Sequence, residues 1–594
     1  MKLYVDKVRL IEGAYRGFSF PSVTATLEVQ PSLEGVCIAI ADAPIIVEIP
    51  TINEQLSCDV LNSNDGPNLL KAAISVAQEV LSYFDYPTER PAAILSQVTR
   101  PGSSVMDLQI SCLTARAFVA ALKFAWLALE RAFAKRPPIT LEHPSARSLV
   151  AQLRFDAPAG FNSKFILLEA NNRQIPWIRI WRNIFQLGYG RHARLFDSSL
   201  SDATSKIGSA LAGNKSATST FLTNAGFPVV PSAVVASAEE ALEQAKKIGL
   251  PVVVKPVSTE GGAGVFALLQ DDAEIINAFN AAQKLSKQVL VERFFEGKDY
   301  RVHVVNNVVH GVVERQPASV VGDGKSTIDQ LIKIVNRERK HATDDRQYLH
   351  AIQANEETQR VCALQRYVLS DIPPVGEFVR LSAICNVTTG GQPQEHSPDV
   401  MHADNKQLCI DAARQLRLDI AGVDLLIPDI SVSWRESGAH ICEINHKPQM
   451  FTSFFPALLE SFFTGHGGKI PISLVLESGP DMPVSSALVT RLQGTHSSVC
   501  WVRNASQQGT NTTSPQRESV LHRAKQALLN VGTDALVVTL SGDLNINSGW
   551  PFNYCDELVL VPTEERSIER IEASGLYQEI IRTLKPERVT ISGG

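Results

Sequence analysis

A lysine set directly after a β-branched run, with three glycines close behind it, is the pattern in this 594-residue chain best suited to phosphate. Leu250 to Val254 is short and apolar and leads straight into Lys255; Gly261, Gly262 and Gly264 follow. Glycines let backbone N–H groups approach phosphate oxygens closely, and a lysine supplies a compact positive charge. By itself the pattern is equally that of a tight turn. A second feature lies far downstream, where Glu443 and Asn445 stand two apart in His440-Ile-Cys-Glu-Ile-Asn445. Side chains at i and i+2 of a strand share one face, so two polar groups inside an apolar run are costly unless something binds them. Oxygen donors of this kind suit a hard cation. Asp424, in Asp419-Ile-Ala-Gly-Val-Asp-Leu-Leu-Ile427, is another, although alone it would equally cap a turn.

Strands and helix ends must place these groups. Pro251 and Pro256 bracket the run before Lys255, which reads as a buried strand. Ser237 to Gly249 reads as a helix with a Ser cap, Glu240 three residues on, lysines in its last turn and a closing glycine. Asn214 to Pro228 reads as a helix that ends near Gly226 and puts Lys215 at its start. Gln288 to Val305 reads as two strands around an acidic turn, with Glu292 at the end of the first. Gly322-Asp-Gly-Lys-Ser-Thr327 looks like the end of a Walker A loop, but Ser319 stands where that template needs its first glycine. It is therefore read as a turn before a helix from Ile328 to Arg339.

The length suits three or four domains. With 44% hydrophobic and 20% charged residues and a net charge of −6, the composition is that of a soluble globular protein and argues for no nucleic-acid partner. Met1-Lys-Leu-Tyr-Val-Asp6 opens no signal peptide. The most apolar helix, Thr114 to Ala134, is broken by Arg116, Lys123, Glu130 and Arg131, which excludes a membrane span. Nine cysteines without a C-x-x-C pair suggest neither a disulfide framework nor a zinc site, and a cytoplasmic location is expected. The first 142 residues lack histidine, which excludes a His-based metal or hydrolytic site there. That segment alternates strand-like runs (Val36 to Ile49) with helical ones (Leu69 to Phe84). Ile175 to Trp181 and Phe185 to Arg194 read as a strand and a hairpin, the latter with two arginines that meet an anionic group or are merely solvated. From about Lys469 an open α/β pattern sets in, with strands at 472–476, 499–502, 535–540 and 558–561 and a polar loop from Ser506 to Gln516.

In order, the helix-start lysine, the strand lysine with its glycine loop, the glutamate, the aspartate and the Glu-x-Asn pair resemble the ATP-grasp ligases over roughly 235 residues. The resemblance implies that Lys215, Lys255 and the glycines contact ATP phosphates, and that Glu292 accepts from the adenine amino group or the ribose. It further implies that Asp424, Glu443 and Asn445 hold Mg²⁺. Arg380 would then stabilise an acyl-phosphate and the tetrahedral intermediate that follows, making Arg380 and Lys255 the catalytic pair. Val321 to Ile332, Asn386-Val-Thr-Thr-Gly-Gly391, Asp419 to Asp424 and Phe185 to Gly190 together resemble the cyanophycin synthetases. That family implies an α/β and α+β multidomain chain: an N-terminal α+β domain (1–160), a central ATP-grasp domain (161–468) and a truncated Mur-ligase-like α/β domain (469–594). A homo-oligomer is expected, with no membrane and no nucleic acid.

Ile470 to Pro483 departs from the Mur-like pattern: the Gly-Lys pair is missing, Asp481 falls near the lysine's place, and Thr539 stands where a metal-binding glutamate belongs. Phe552-Asn-Tyr-Cys-Asp556 still matches. One ATP site is then left, as in the second type of cyanophycin synthetase, which polymerises preformed β-aspartyl-arginine dipeptides. The alternatives are a single-addition amino-acid or dipeptide ligase and a non-catalytic polyamide-binding protein. His446-Lys-Pro-Gln-Met450 follows the Glu-x-Asn pair where the family has small residues and a glycine. Lys447 there binds an anionic substrate group or is a solvated loop lysine.

Overall fold

The computed structural model describes residues 2–11, 22–30, 66–84, 86, 93–100, 103–133, 136, 139–158, 160–257, 264–340, 349–385, 390–503, 519–541, 549–564 and 566–592. The strand-like run Val36 to Ile49, the loop Ser506 to Gln516, Gly261, Gly262 and residues 386–389 lie outside them. The chain forms two compact units, Met1–Ser198 with Phe462–Gly594, and Ser199–Ser461.

In the first unit, four antiparallel strands run in the order Lys2–Ile11, Ser22–Gln30, Ser103–Ser111, Ala93–Arg100. The helices Gly66–Tyr83 and Ala115–Phe133 accompany them. Five further strands form an all-parallel sheet in the order Val499–Arg503, Ala535–Leu540, Ile472–Leu476, Glu557–Leu560, Arg588–Ile591. Its central strands are buried throughout, as apolar runs are when helices cover both faces. They match the expected strands to within a residue.

Residues 161–198 fall in this unit. Their strands Trp177–Trp181, Ile184–Leu187 and Arg194–Asp197 pair antiparallel. Tyr189 packs in the same core as Ile470, Trp550 and Phe552. Gly190 allows this approach: a methyl group there would stand 2.1 Å from the Thr533 carbonyl oxygen. One of the hairpin's two arginines, Arg191, does meet an anion, but it is the protein's own Asp534, at 3.1 Å.

The second unit holds two sheets. Four antiparallel strands, Phe266–Leu269, Val252–Pro256, Val289–Arg293 and Ser232–Val235, pack on the helices Ala238–Ile248 and Asp272–Gln283. The first helix is capped as its sequence dictates: Ser237 accepts from the Glu240 N–H and Gly249 closes it at φ 93°. Five antiparallel strands follow in the order Gln392–His396, Val308–Gln316, Lys298–Val305, Ile420–Ile427, His440–Asn445. One face of this sheet packs on the helices Lys215–Asn224 and Ala403–Gln415. Its other face carries the charged residues described below. A small ribbon, Ser319–Val321 with Phe378–Arg380, precedes and follows the helix Ile328–Lys340. Gly322 to Thr327 is a turn whose Lys325 and Ser326 N–H groups are taken by the Asp323 carboxylate, so it offers no phosphate cradle. Among the described residues no helix is long and apolar enough to cross a membrane.

Candidate active site

Antiparallel register places Val253 opposite Glu292 and Lys255 opposite Leu290, so Lys255 and Glu292 lie diagonally on one face of the smaller sheet. Their charges meet: Lys255 Nζ is 2.6 Å from Glu292 Oε2. Burial opposes the ammonium, but the Glu292 carboxylate outweighs it and holds the amine above its ordinary pKa. Cys442 and Glu443 contribute to the same field. Lys215 is the first residue of its helix, whose cap Asn214 accepts from the Ala217 N–H at 3.0 Å. Its Nζ stands 4.0 Å from Glu443 Oε2. The structure thus brings Lys215, Lys255, Glu292 and Glu443 together from separated parts of the chain.

On the larger sheet Arg301 lies opposite Asp424, Asp424 opposite Glu443, and Gly422 opposite Asn445. Cys442 is the extra residue of a bulge in the last pairing. Burial first, then the charges of Asp299 and Glu292, push its thiol well above the ordinary value, so it is no ready nucleophile. Asp424 is not a free ligand. Arg301 grips it with Nε at 2.6 Å and Nη2 at 2.9 Å, and Arg315 adds a contact at 2.9 Å. Arg315 also binds Asp299 at 2.6 Å. Burial would lift the Asp424 carboxyl, but the two guanidiniums hold it below its usual range; Asp299, half-buried and facing Asp424, is raised by desolvation first. Sequence reasoning missed Asp299, Arg301 and Arg315. The signal was there in Asp299-x-Arg301-x-His303, three polar residues on one face of a strand whose other face is core.

Arg380 lies on the small ribbon, opposite Ser319. Its Nε and Nη2 donate to the carbonyls of Ser382 and Ala383 at 2.7 and 2.5 Å. It stands near the arginine cluster, because Cys385, 4.0 Å from its Nη2, lies in the field of Asp299 and Arg315. Gly264, the described glycine of the loop, has φ +72°, and a methyl group there would strike Leu285 and Pro256. Its local reason is therefore backbone shape and close packing.

Glu443 and Asn445 fit a magnesium ion that keeps most of its shell as water and phosphate oxygens. Asn445 supports this, since its amide Nδ2 is buried with no hydrogen-bond partner among the described residues, and its oxygen and nitrogen are interchangeable by a flip. Asp424, engaged on both oxygens, fits less well. Among the described residues no group of three or more His, Cys, Asp and Glu side chains is poised round a cation.

In the first unit the strand Ile472–Leu476 runs into the helix Pro483–Gln493. The donors at this helix start converge on Glu477: the N–H groups of Val484 and Ser485 at 2.9 and 2.8 Å, and the Ser485 hydroxyl at 2.5 Å. Thr539 donates to that hydroxyl and accepts from the Trp501 indole. A helix N-terminus attracts anions. Here the anion is the chain's own buried carboxylate. Asp481, the residue singled out from the sequence, is exposed.

Residues 214–316 match the family described as carbamoyl-phosphate synthase L chain, ATP binding domain, and the central segment has the ATP-grasp fold. About half of the chain is homologous to the cyanophycin synthetases. It is 34% identical over 331 residues to the cyanophycin synthetase of Trichormus variabilis (53% of this chain, 36% of that protein). To that of Synechocystis sp. it is 36% identical over 293 residues (49% and 33%). The glutathione biosynthesis bifunctional protein of Enterococcus faecalis is 33% identical over 270 residues (44% and 34%). The match spans about a third of each curated relative's length. Among solved structures, a bifunctional glutathione synthetase from Pasteurella multocida aligns with TM-score 0.39 and 23% identity, covering 58% of this chain and 51% of that one.

Proposed function

We propose that the chain is an ATP-dependent carboxylate–amine ligase with one nucleotide site, and that it polymerises β-aspartyl-arginine dipeptides into cyanophycin. The observation that carries the proposal is the convergence of Lys215, Lys255, Glu292 and Glu443 beside the charged face of the larger sheet. Lys215 and Lys255 bind the triphosphate, with Glu292 keeping the Lys255 amine protonated and accepting from the adenine amino group or the ribose. The reading gives Gly261, Gly262 and Gly264 a role in binding the phosphates. Glu443 and Asn445, with Asp424 beside them, would hold magnesium, which would supply positive charge to offset that of the triphosphate. A carboxylate of the growing chain attacks the γ-phosphorus and ADP leaves. The α-amino group of the incoming dipeptide then attacks the acyl carbon, phosphate leaves, and the amine gives up a proton. Arg380, whose Nε and Nη2 donate to the Ser382 and Ala383 carbonyls, then stabilises the acyl-phosphate and the oxyanion that follows. The reading includes a homo-oligomer in the cytoplasm and a Mur-ligase-like ancestry for residues 469–594, which the all-parallel sheet supports.

A single-addition ligase is the second reading, supported by the similarity to glutathione biosynthesis proteins. Purified protein with ATP, Mg²⁺, β-aspartyl-arginine and a short primer separates the two by product size. A ladder of long products with one ADP per bond is expected. One bond per acceptor would establish the second reading, and no binding of ATP·Mg²⁺ by calorimetry would overturn both.

A further inference from the structure

The strand that carries Glu443 and Asn445 is followed by a segment, residues 446–454, that lies back across the charged face of the same sheet. Ser199 Oγ donates to the Pro448 carbonyl at 2.6 Å and Ser453 to Glu395, and three further contacts lie on this face. A methyl group at Gly422 would come 2.8 Å from Pro448 Cβ, and one at Gly311 would come 2.4 Å from the Phe454 ring. Glycine weakens a strand interior, and at these two positions it makes room for a strap. The third contact is His303, which lies opposite both glycines. Its Nε2 is 3.1 Å from the Gln449 carbonyl oxygen, and its ring is 5.1 Å from that of Phe454. A carbonyl only accepts, so Nε2 carries the proton.

His303 is 1% exposed, and its Nδ1 has no hydrogen-bond partner among the described residues. A leucine or phenylalanine would fill the space without leaving a buried nitrogen unsatisfied. Packing alone therefore does not account for an imidazole here; the bond to Gln449 does. The location is informative too. Lys255 feels Cys442 and Glu443 at one margin of the charged face, whereas His303 lies in the row of Gly422 and Asn445, one step further along the strands. The strap, with Lys447 in it, thus bounds the end away from Lys255, while its first residue, His446, lies beside Gly213 just before the Lys215 helix.

We propose that His303 is a positioning residue: by clasping the Gln449 carbonyl it fixes residues 446–450 as the wall that seats the peptide substrate, not the nucleotide. This rests on the ligase reading given above. The test compares full-length wild type, His303→Phe and His303→Gln, the last of which keeps an N–H donor at similar reach. Amide hydrogen exchange of residues 446–454, measured without any substrate, should rise about fivefold in His303→Phe and return towards wild type in His303→Gln. With β-aspartyl-arginine and a primer, KM for the dipeptide should rise by a similar factor in His303→Phe while KM for ATP changes less than about twofold. Unchanged exchange in His303→Phe overturns the clasp. Equal rises in both KM values overturn the assignment to the peptide side. Absence of ATP turnover in the wild type would fail the ligase reading, and the exchange measurement would still decide the clasp.

Discussion

At the end of the Ile472–Leu476 strand, three donors of the following helix close on Glu477, which is 2% exposed. At the end of the Val252–Pro256 strand, Lys255 and Glu292 pair through a single contact and each keeps 12% of its side chain exposed; Lys215 and Glu443 keep 17% and 31%. Both places are strand ends of a kind that can hold phosphate. In the first, every donor already has an anion, fixed by geometry and cut off from water. In the second, opposite charges are balanced yet reachable, so an arriving polyanion can exchange one partner for another. On the proposed reading, a phosphate site is marked less by positive charge than by charge left accessible.

The sharpest way to break this contrast is Lys255→Ala. ATP-dependent phosphate release should fall about 10³-fold or more while the protein stays folded; near-normal turnover would remove the second region from the chemistry. Next in size, Asp424→Ala leaves Arg301 and Arg315 facing each other without their shared carboxylate, and chemical denaturation should show a loss of about 3–5 kcal/mol. A third test uses pH. The buried His303 ring is held down to about 4 from 6.5, by burial first and then by Arg301. The unfolded chain therefore takes up a proton that the folded chain refuses, and stability is lost as pH falls through that window, by up to about 3 kcal/mol. His303→Phe should flatten that part of the stability profile.

Glu477→Ala should do the reverse of Lys255→Ala: it unsatisfies three donors and costs about 2 kcal/mol on unfolding, with ligation unchanged. A large loss of turnover would mean that the C-terminal sheet takes part in the reaction. Asp481→Ala should alter neither stability nor rate beyond about 0.5 kcal/mol.

Much of the scaffold was legible because it is locally encoded. The capped helix after Ser237, the Lys215 helix start and the C-terminal strands follow from cap residues and apolar runs, and they stand where expected. That Glu443 and Asn445 share one strand was legible from the alternation of polar and apolar residues. What escaped depends on register between distant segments. Arg301 meets Asp424, 123 positions away, only because the two strands pair in one alignment. Gly422 and Gly311 look like weak points in strands until the returning segment is placed over them. Gly188 and Gly190 look like turn residues until Gly468 and Thr533, far along the chain, are placed against them.

The pairing of charge around the larger sheet also bears on kinetics. Lys215, Lys255, Arg301 and Arg315 are matched one for one by Glu443, Glu292, Asp424 and Asp299. Seen from a Debye length away, such a surface projects little field, so it neither draws in nor turns away a nucleotide from a distance. Capture then depends on collision and local rearrangement, and the association rate should be nearly indifferent to ionic strength.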